Sequence, residues 1–379
     1  MAALLASVVH ALRAQGPGVE GVVFLDADGD GRRDGGEAGL AGVAVSNQHA
    51  VAITDGEGRY RLADRGTGVV FVSVPDGHRV VGAFWQPAAA DVDFALASQA
   101  DAATFTFLHA SDPHADARSL PRLAKVRAIV GARRPAFVLM TGDLVRDAIR
   151  VGEDEAAGYY DLYRRETAAW PVPVWSVPGN HENFGIERHL SLVSPAHPLY
   201  GKGMYRARLG PNYYSFTRGG IHFVGLDTVD VADLWYYGHV DGRQLAWLRA
   251  DLAAIPAAMP VVTFNHIPFV SAAEMVKGYT DEGAAPTTLR VGGRTVFRHV
   301  VANLGEVLAV LPASRWPLAL GGHIHLRELI RYGSPVATRF EQAAAIVGGG
   351  SGTVPATSGV TLYSVRNGEV DAGTFIPLD

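Results

Sequence analysis

Cysteine is absent from the 379 residues of this chain. Its absence excludes disulfide bonds, thiolate nucleophiles and cysteine-based zinc sites together. Runs of Lys or Arg are absent as well, and the formal net charge is −5. A chain of this charge lacks the basic surface of a general nucleic-acid-binding protein, so no specific nucleic-acid binding is expected.

Long hydrophobic runs are also missing, and no stretch is long and apolar enough to cross a membrane as a helix. The nearest approach is Ala2–Val9, a short apolar run like the hydrophobic region of a signal peptide, with Ala14 as a candidate residue before a cleavage point. The charged residues that normally precede such a run are absent. We interpret residues 1–16 as a leader or signal remnant and expect a periplasmic or secreted protein, with a cytoplasmic one as the alternative.

Residues 17–98 show the pattern of a small all-β domain. Short β-type runs alternate with turn residues at Val19–Leu25, Leu40–Val45, Ala50–Thr54, Tyr60–Leu62 and Val69–Val74. Closely spaced short strands of this kind are typical of an antiparallel β-sandwich. A second domain then follows, as the length of the chain also favours.

Residues 99–342 have a different rhythm, in which short apolar runs alternate with helical patterns. The apolar runs are Phe105–Ala110, Ala136–Thr141, Val172–Val177, Ile221–Leu226, Pro260–Phe264 and Pro317–Leu320. The helix candidates are Ser119–Arg134, Gly242–Ile255 with Asp241 as its N-cap, and Phe297–Leu311. Alternating strands and helices predict an α/β layered domain, and residues 343–379 are predicted to add C-terminal strands that complete it.

Polar side chains with metal-binding chemistry follow five of these apolar runs. They are Asp112 and His114, then Asp143, then Asn180 with His181, then His266, and finally His323 with His325. Ligand sites in α/β sheets form outside the carboxyl ends of strands, so these groups are expected to converge. Imidazole mixed with carboxylate favours Zn, Mn, Fe or Co over Ca or Mg. The glycines before Asp143, Asn180 and His323 let the backbone pass close to bound ions.

The five blocks read D-x-H, G-D, G-N-H-E, H and G-H-x-H in chain order. This order resembles the calcineurin-like metallophosphoesterase superfamily over roughly residues 104–330. The resemblance implies an α/β layered fold, in which a β-sandwich is flanked by helices. It also implies an enzyme that hydrolyses phosphoesters with two divalent transition metals. It implies that Asp112, His114 and His325 hold the first metal, that Asn180, His266 and His323 hold the second, and that Asp143 bridges both.

The resemblance also implies a mechanism in which His181 is catalytic rather than a ligand. Two cations clamp the phosphate oxygens and generate a bridging hydroxide that attacks phosphorus in line. His181 then donates a proton to the departing alkoxide, and Glu182 or Asp147 orients the ligands. The histidine at the third position of the first block, His114, favours phosphodiesters over phosphomonoesters by the same resemblance. The remaining histidines, His299 among them, fit no motif and are interpreted as ordinary surface or core residues.

The first domain carries a separate pattern, D-x-D-x-D-G-x₅-E, which is typical of a calcium loop. Its ligand positions are Asp26, Asp28, Asp30, the carbonyl of Arg32, Asp34 and Glu37. The flanks are strand-like rather than helical, and the region resembles the B-type sandwich repeats of bacterial surface proteins. We expect structural calcium here, the alternative being an acidic solvated loop.

The substrate expected is a small-molecule, lipid or nucleotide phosphoester, which the sequence does not narrow further. The alternative function is that of a calcium-stabilised surface or binding protein whose phosphoesterase-like domain is not catalytic. A full set of metal ligands argues against that alternative, because decayed sites lose ligands.

Overall fold

The computed structural model describes residues 18–100, 103–279, 286–351 and 354–379. The interpreted leader, residues 1–16, lies outside the described residues. Within them, none of the helices combines the length and the apolar character needed to span a lipid bilayer.

The N-terminal region is all β, as predicted. Its strands are β1 (Val19–Leu25), β2 (Ala44–Ser46), β3 (Val51–Ile53), β4 (Arg59–Leu62), β5 (Val69–Val72), β6 (His78–Val81), β7 (Trp85–Pro87) and β8 (Phe94–Ser98). They form two four-stranded sheets in the orders β4-β1-β8-β6 and β3-β2-β5-β7. Every pair is antiparallel except β1 with β8. The resemblance to B-type repeats stays a prediction.

The second region mixes strands and helices. Its first half contains β9 (Thr104–Ala110), α1 (Leu120–Arg133), β10 (Phe137–Thr141), α2 (Glu153–Ala168), β11 (Val174–Val177), α3 (Arg188–Ser191), α4 (Gly203–Leu209), β12 (Tyr214–Arg218), β13 (Ile221–Leu226), β14 (Val229–Ala232), β15 (Trp235–Gly238) and α5 (Gly242–Ala253). Its second half contains β16 (Val261–Asn265), α6 (Ala272–Lys277), β17 (Thr288–Val291), β18 (Arg294–Phe297), α7 (Leu304–Val310), a 3-10 turn (Ala313–Arg315), β19 (Leu318–Gly321), β20 (Glu328–Tyr332), β21 (Thr338–Gln342), β22 (Gly349–Ser351), β23 (Val354–Ala356), β24 (Gly359–Arg366), β25 (Glu369–Val370) and β26 (Thr374–Pro377).

Two six-stranded sheets form the centre of this region. One has the order β11-β10-β9-β24-β25, with β26 paired to β24, and the other has the order β12-β13-β16-β19-β21-β20. The ring of Phe137 joins them, because it stacks on Phe107 at 5.5 Å and meets the edge of Phe223 at 5.1 Å. Helices flank this sandwich, so the predicted α/β layered fold is confirmed.

The flanking helices follow from their sequence patterns. Helix α1 buries Leu123, Val126 and Val130 on one face. Helix α5 begins at the predicted N-cap, since the Asp241 carboxylate accepts the N–H of Gln244 at 2.8 Å.

Parallel pairing determines where the functional groups lie. Strands β9, β10 and β11 run parallel, as do β13, β16, β19 and β21. The two sets meet at their carboxyl ends, where Nδ1 of His266 lies 2.8 Å from the carbonyl oxygen of Thr141. The loops that carry the candidate ligands are therefore gathered at one edge of the sandwich.

The predicted helix Phe297–Leu311 is wrong in its first half. Phe297 ends strand β18, and α7 begins only at Leu304. The backbone between them pairs with neighbouring loops instead, with the N–H of Val301 donating to Pro268 and that of Ala302 donating to Gly238. A local apolar pattern cannot anticipate these long-range backbone contacts.

Candidate metal centre

The backbone at the candidate ligands is unusual. Five of the seven adopt left-handed φ angles, namely Asp112 at 52°, His114 at 40°, Asp143 at 47°, His323 at 71° and His325 at 59°. Each such residue costs about 1–3 kcal/mol and persists only where the surrounding structure determines it. Accumulation of this strain at one edge of the sandwich marks it as a functional site.

Two glycines allow the loops to approach one another. A Cβ atom on Gly142, whose φ is 82°, would lie 2.6 Å from the ring of His266. A Cβ atom on Gly322 would lie 2.0 Å from Oγ of Ser111. Neither position has space for a side chain, so glycine is required for the ligand loops to meet.

The first cluster contains Asp112, His114, Asp143 and His325, with ligand atoms that all lie within 4.8 Å of one another. Nε2 of His325 is 3.1 Å from Oδ1 of Asp112, and Nε2 of His114 is 3.6 Å from Oδ2 of Asp143. Two ligands bound at about 2.1 Å to one tetrahedral ion are about 3.4 Å apart, so these spacings fit a shared cation. Among the described residues, neither buried nitrogen of His114 has a hydrogen-bond partner, which a metal would supply.

The second cluster contains Asp143, His266 and His323, joined by Asn180. Nε2 of His266 lies 3.2 Å from Oδ1 of Asp143, 3.1 Å from Oδ1 of Asn180 and 3.1 Å from Nδ1 of His323. Nδ1 of His266 donates to the Thr141 carbonyl, so Nε2 is the ring nitrogen that can face a cation. Asp143 belongs to both clusters and presents one oxygen to each.

The acidic and imidazole side chains of the two clusters are packed closely enough to shift one another's pKa values. Burial raises the pKa of Asp143, but His266 and His181 outweigh it and hold that pKa well below its ordinary value. Burial would lower the pKa of His266, but Asp143 raises it to about 9. Burial lowers the pKa of His114 to about 4. The carboxylate of Asp143 is thus ionised and the ring of His114 is neutral, which are the forms that bind cations, whereas a cation at the second cluster would displace the proton that Asp143 stabilises on His266.

His181 lies beside the clusters without being part of either. Its Nδ1–H donates to the carbonyl of Arg146 at 2.8 Å, and its backbone N–H donates to Oδ1 of Asp143 at 2.9 Å. Its ring meets that of His114 edge-on at 4.6 Å, and its Nε2 is 3.9 Å from Oδ2 of Asp143. This position at the cavity wall suits a proton donor.

Glu182 braces two of the ligand loops. Its buried carboxylate accepts the N–H of Val145, after β10, at 2.9 Å and the N–H of Gly179, after β11, at 2.5 Å. Burial and the nearby Asp143 raise its pKa to about 8. Asp147 acts more locally, since it accepts the N–H of Ile149 and pairs with Arg150 at 3.0 Å.

The clusters open into a cavity of about 240 Å³. The sequence did not indicate five of its lining residues, which are Tyr236, Glu274, Lys277, His299 and Ile324. Nζ of Lys277 is held 2.7 Å from the buried carboxylate of Glu274. Tyr236 comes from β15, Glu274 and Lys277 from α6, and His299 from the segment after β18, none of which carries a recognisable motif, while Ile324 is the variable position of the G-H-x-H block.

The interpretation of His299 as an ordinary residue is wrong. Its Nδ1 lies 2.7 Å from Nε2 of His323, and the two rings stack at 5.0 Å. Burial, with Arg298 and Lys277 nearby, lowers the pKa of His299 to about 3, so its ring is neutral at pH 7.

The acidic loop in the N-terminal region also brings its side chains together. Asp26, Asp28 and Glu37 form one group, and Asp28, Asp30 and Asp34 form a second. The Glu37 carboxylate accepts the N–H of Ala27 at 2.8 Å and that of Asp34 at 3.1 Å, which closes the loop. The N–H of Arg32 donates to Asp30 at 2.7 Å. The loop lies directly after β1, so its flanks are not helical.

A buried set of imidazoles and carboxylates at the carboxyl edge of two packed sheets is the arrangement expected of a metal-dependent hydrolase. The sequence pattern of the calcineurin-like phosphoesterases matches residues 105–327, and the chain belongs to that family. It is accordingly a metal-dependent phosphoric ester hydrolase. No curated protein sequence matches the chain.

Several solved structures are similar. A dimetal phosphatase from Danio rerio is 18% identical, covers 73% of this chain and 99% of its own, and has a TM-score of 0.46. GAP50, the anchor in the inner membrane complex of Plasmodium, is 12% identical over 73% of this chain and 85% of its own, with a TM-score of 0.43. TT1561 of Thermus thermophilus is 11% identical over 73% of this chain and 100% of its own, with a TM-score of 0.37.

Proposed function

We propose that the chain hydrolyses phosphodiesters in preference to phosphomonoesters, at a dinuclear metal centre. Asp112, His114 and His325 hold one cation, Asn180, His266 and His323 hold the other, and Asp143 bridges them. The observation that carries this assignment is the orientation of Asp143, whose Oδ2 faces His114 while its Oδ1 faces His266. The preference for diesters rests on His114, through the family resemblance.

The residues of the chain divide the work of the reaction. Bound divalent cations would offset the negative charge of the phosphate. As Lewis acids they would also lower the pKa of water, so that it can act as a nucleophile at neutral pH. His181, at the cavity wall, donates a proton to the departing alkoxide, and the Arg146 carbonyl fixes its ring for that purpose. Thr141 fixes His266 in the tautomer that offers Nε2. Glu182 holds two ligand loops at a constant separation.

Hydrolysis of bis-p-nitrophenyl phosphate and of p-nitrophenyl phosphate tests the proposal, with Mn, Zn, Co and Fe each supplied to the metal-stripped protein. We expect metal-dependent activity that is faster on the diester and is lost in Asp143→Ala. Asp154→Ala, at an exposed carboxylate in the first turn of α2, is the matched control and should retain activity. No hydrolysis with any metal would contradict the proposal, and a faster monoester reaction would overturn the ester class.

We propose further that the loop from Asp26 to Glu37 binds a structural Ca²⁺. Support comes from the spacing of its acids and from their convergence into two overlapping groups that share Asp28. Five acids so close together repel one another unless a cation neutralises them. Calcium alone in the purified protein, with no transition metal after reconstitution, would instead favour the non-catalytic surface protein.

We propose that the protein acts outside the cytoplasm. The apolar run Ala2–Val9 and the calcium-type loop both support export, because calcium is abundant outside cells. Fractionation of cells that express the full chain, with N-terminal sequencing of the product, tests this. An uncleaved protein confined to the cytoplasm would contradict export.

A further inference from the structure

We propose that His299 is a positioning residue that fixes the ring of His323, so that Nδ1 of His323 faces the second metal. This inference rests on the proposed dinuclear centre and assigns a task to a histidine outside every motif. The juxtaposition that carries it is the 2.7 Å separation between Nδ1 of His299 and Nε2 of His323.

The direction of this hydrogen bond follows from the geometry of His323. Its Nδ1 is the nitrogen turned towards the second cluster, since it lies 3.1 Å from Nε2 of His266. A neutral imidazole carries one N–H, so a lone pair on Nδ1 places the proton on Nε2. Nε2–H of His323 therefore donates, and Nδ1 of His299 accepts. The reverse direction would place the proton on Nδ1 of His323 and block the metal.

The other non-bridging histidine of this cluster is oriented in the same way by a different group. His266 donates its Nδ1–H to the Thr141 carbonyl and offers Nε2 to the cluster. His323 reaches the cluster with the opposite nitrogen, so its partner has to lie on the opposite side of the ring. Among the described residues no backbone carbonyl accepts a hydrogen bond from Nε2 of His323. Nδ1 of His299 is the acceptor instead.

His299 is itself held firmly. Its ring stacks on His323 at an interplanar angle of 23° and meets the edge of Tyr236 at 6.0 Å. The preceding residue, Arg298, lies over the rings of Trp235 and Tyr236 at 4.6 and 4.5 Å. Its guanidinium also donates to the carbonyl of Pro286 at 2.7 Å. These contacts anchor the segment after β18, so the acceptor nitrogen is preorganised.

Metal binding by the full-length protein tests the inference without any substrate. Mn²⁺ and Zn²⁺ affinities would be measured by competition with a chelator for wild type, His299→Leu and His299→Asn. In the Leu variant one of the two sites should weaken about 10- to 100-fold while the other is unchanged. In the Asn variant the side-chain oxygen can accept from His323, so affinity should return to within a few-fold of wild type.

The control is His78→Leu, at a half-buried histidine of β6 whose Nδ1 contacts the backbone of Asp76 far from the centre. It should bind both metals as wild type does. Wild-type affinity at both sites in His299→Leu would overturn the inference, as would an Asn variant as weak as the Leu variant. A wild-type protein that binds two metals but hydrolyses neither aryl ester would refute the proposed function. The role of His299 would still be decided by the comparison of metal affinities.

Discussion

Oδ1 of Asp143 lies 3.2 Å from Nε2 of His266, whose side chain is fully buried. The other oxygen of the same carboxylate is 3.6 Å from Nε2 of His114, on the opposite side. A single carboxylate thus separates two groups of imidazoles that would otherwise compete for one cation. The two cations of the proposed centre would need the negative charge and both oxygens of Asp143 to be held close together.

Asp143→Asn should therefore weaken both metal sites, because the amide lacks the charge and offers only one good ligand atom. A loss on the order of 4 kcal/mol in transition-state stabilisation corresponds to a thousandfold fall in kcat/KM. Metal content after gel filtration and kcat/KM on the aryl diester check this. Asp154→Asn, on the exposed face of α2, should change neither quantity, and full metal content in the Asp143 variant would contradict the bridging role.

Glu182→Ala should destabilise the fold by about 2–5 kcal/mol. It removes the acceptor of two buried N–H groups, those of Val145 and Gly179, and each unsatisfied donor costs about 1–3 kcal/mol. Urea unfolding of the metal-stripped protein measures the effect, with the exposed Glu57→Ala as a control expected to stay within about 0.5 kcal/mol. Equal stability of the two variants would show that the brace is dispensable.

Gly322→Ala and Gly305→Ala should change the stability of the fold in opposite directions. A Cβ on Gly322 meets Ser111 and Asp112, so overpacking should cost about 1–3 kcal/mol and lower metal content. A Cβ on Gly305, in α7, meets open space, so the better helix former should stabilise by up to about 1 kcal/mol. Melting temperatures and metal analysis distinguish the two. A Gly322→Ala variant with unchanged stability and metal content would mean that the ligand loops can move apart freely.

His109 predicts a dependence of stability on pH. Burial lowers its folded pKa to about 3, although Asp112 raises it in part, while the unfolded value is near 6.5. Between these two pKa values the unfolded chain binds a proton that the folded chain does not. The stability that the neutral, buried His109 contributes is therefore complete above pH 6.5 and is lost as pH falls towards 3. Between pH 7 and pH 5 the loss should be about 2 kcal/mol.

The matched variant for this prediction is His109→Gln. Glutamine does not titrate, and its amide can replace the Nε2–H donor to Oγ1 of Thr141, which lies 2.9 Å away in the wild type. Chemical unfolding at pH 7 and pH 5, at fixed metal concentration, should show a smaller pH difference for the variant than for wild type. An identical difference would assign the acid sensitivity to other groups.

Calcium should stabilise the wild-type protein through the loop after β1. At a hundredfold excess over its Kd, a bound ion contributes about 2.7 kcal/mol. Scanning calorimetry with Ca²⁺ and with a calcium-selective chelator should show an upward shift in wild type and none in Asp28→Ala, since Asp28 belongs to both acidic groups. Glu20→Ala, in β1, should respond to calcium as wild type does. A calcium response that survives in the Asp28 variant would place the ion elsewhere.

The sequence predicted those parts of the fold that are encoded locally. Every strand that precedes a candidate ligand was found within two residues of its position, because buried strands are continuous apolar runs bounded by glycine or polar residues. Strands β6 and β7 were missed because they are short and half-exposed, with a glycine on each side of β6 and a proline at the end of β7. Glu182 and Asp147 were the alternatives expected to orient the ligands; Glu182 accepts N–H groups from two ligand loops, whereas Asp147 bonds Ile149 and Arg150 in its own loop.

The cavity wall could not be predicted for a different reason. Lys277 reaches the site from α6 and His299 from the segment that follows the β17–β18 hairpin, and the positions of both depend on long-range packing. His299 is 24 residues from His323, and nothing in the intervening sequence indicates that the two rings stack. The left-handed backbone of five candidate ligands is equally invisible, because only glycine announces such angles in a sequence.

Strand β9, which leads to Asp112, is paired on one side with β10 and on the other with β24. Strand β24 is synthesised roughly 250 residues after β9, a delay on the order of 10–50 s at typical translation speeds. During that interval the nascent chain exposes one edge of its central strand, which invites pairing with other chains. Biosynthesis of this enzyme should therefore depend on chaperones that shield that edge until β24 pairs with it.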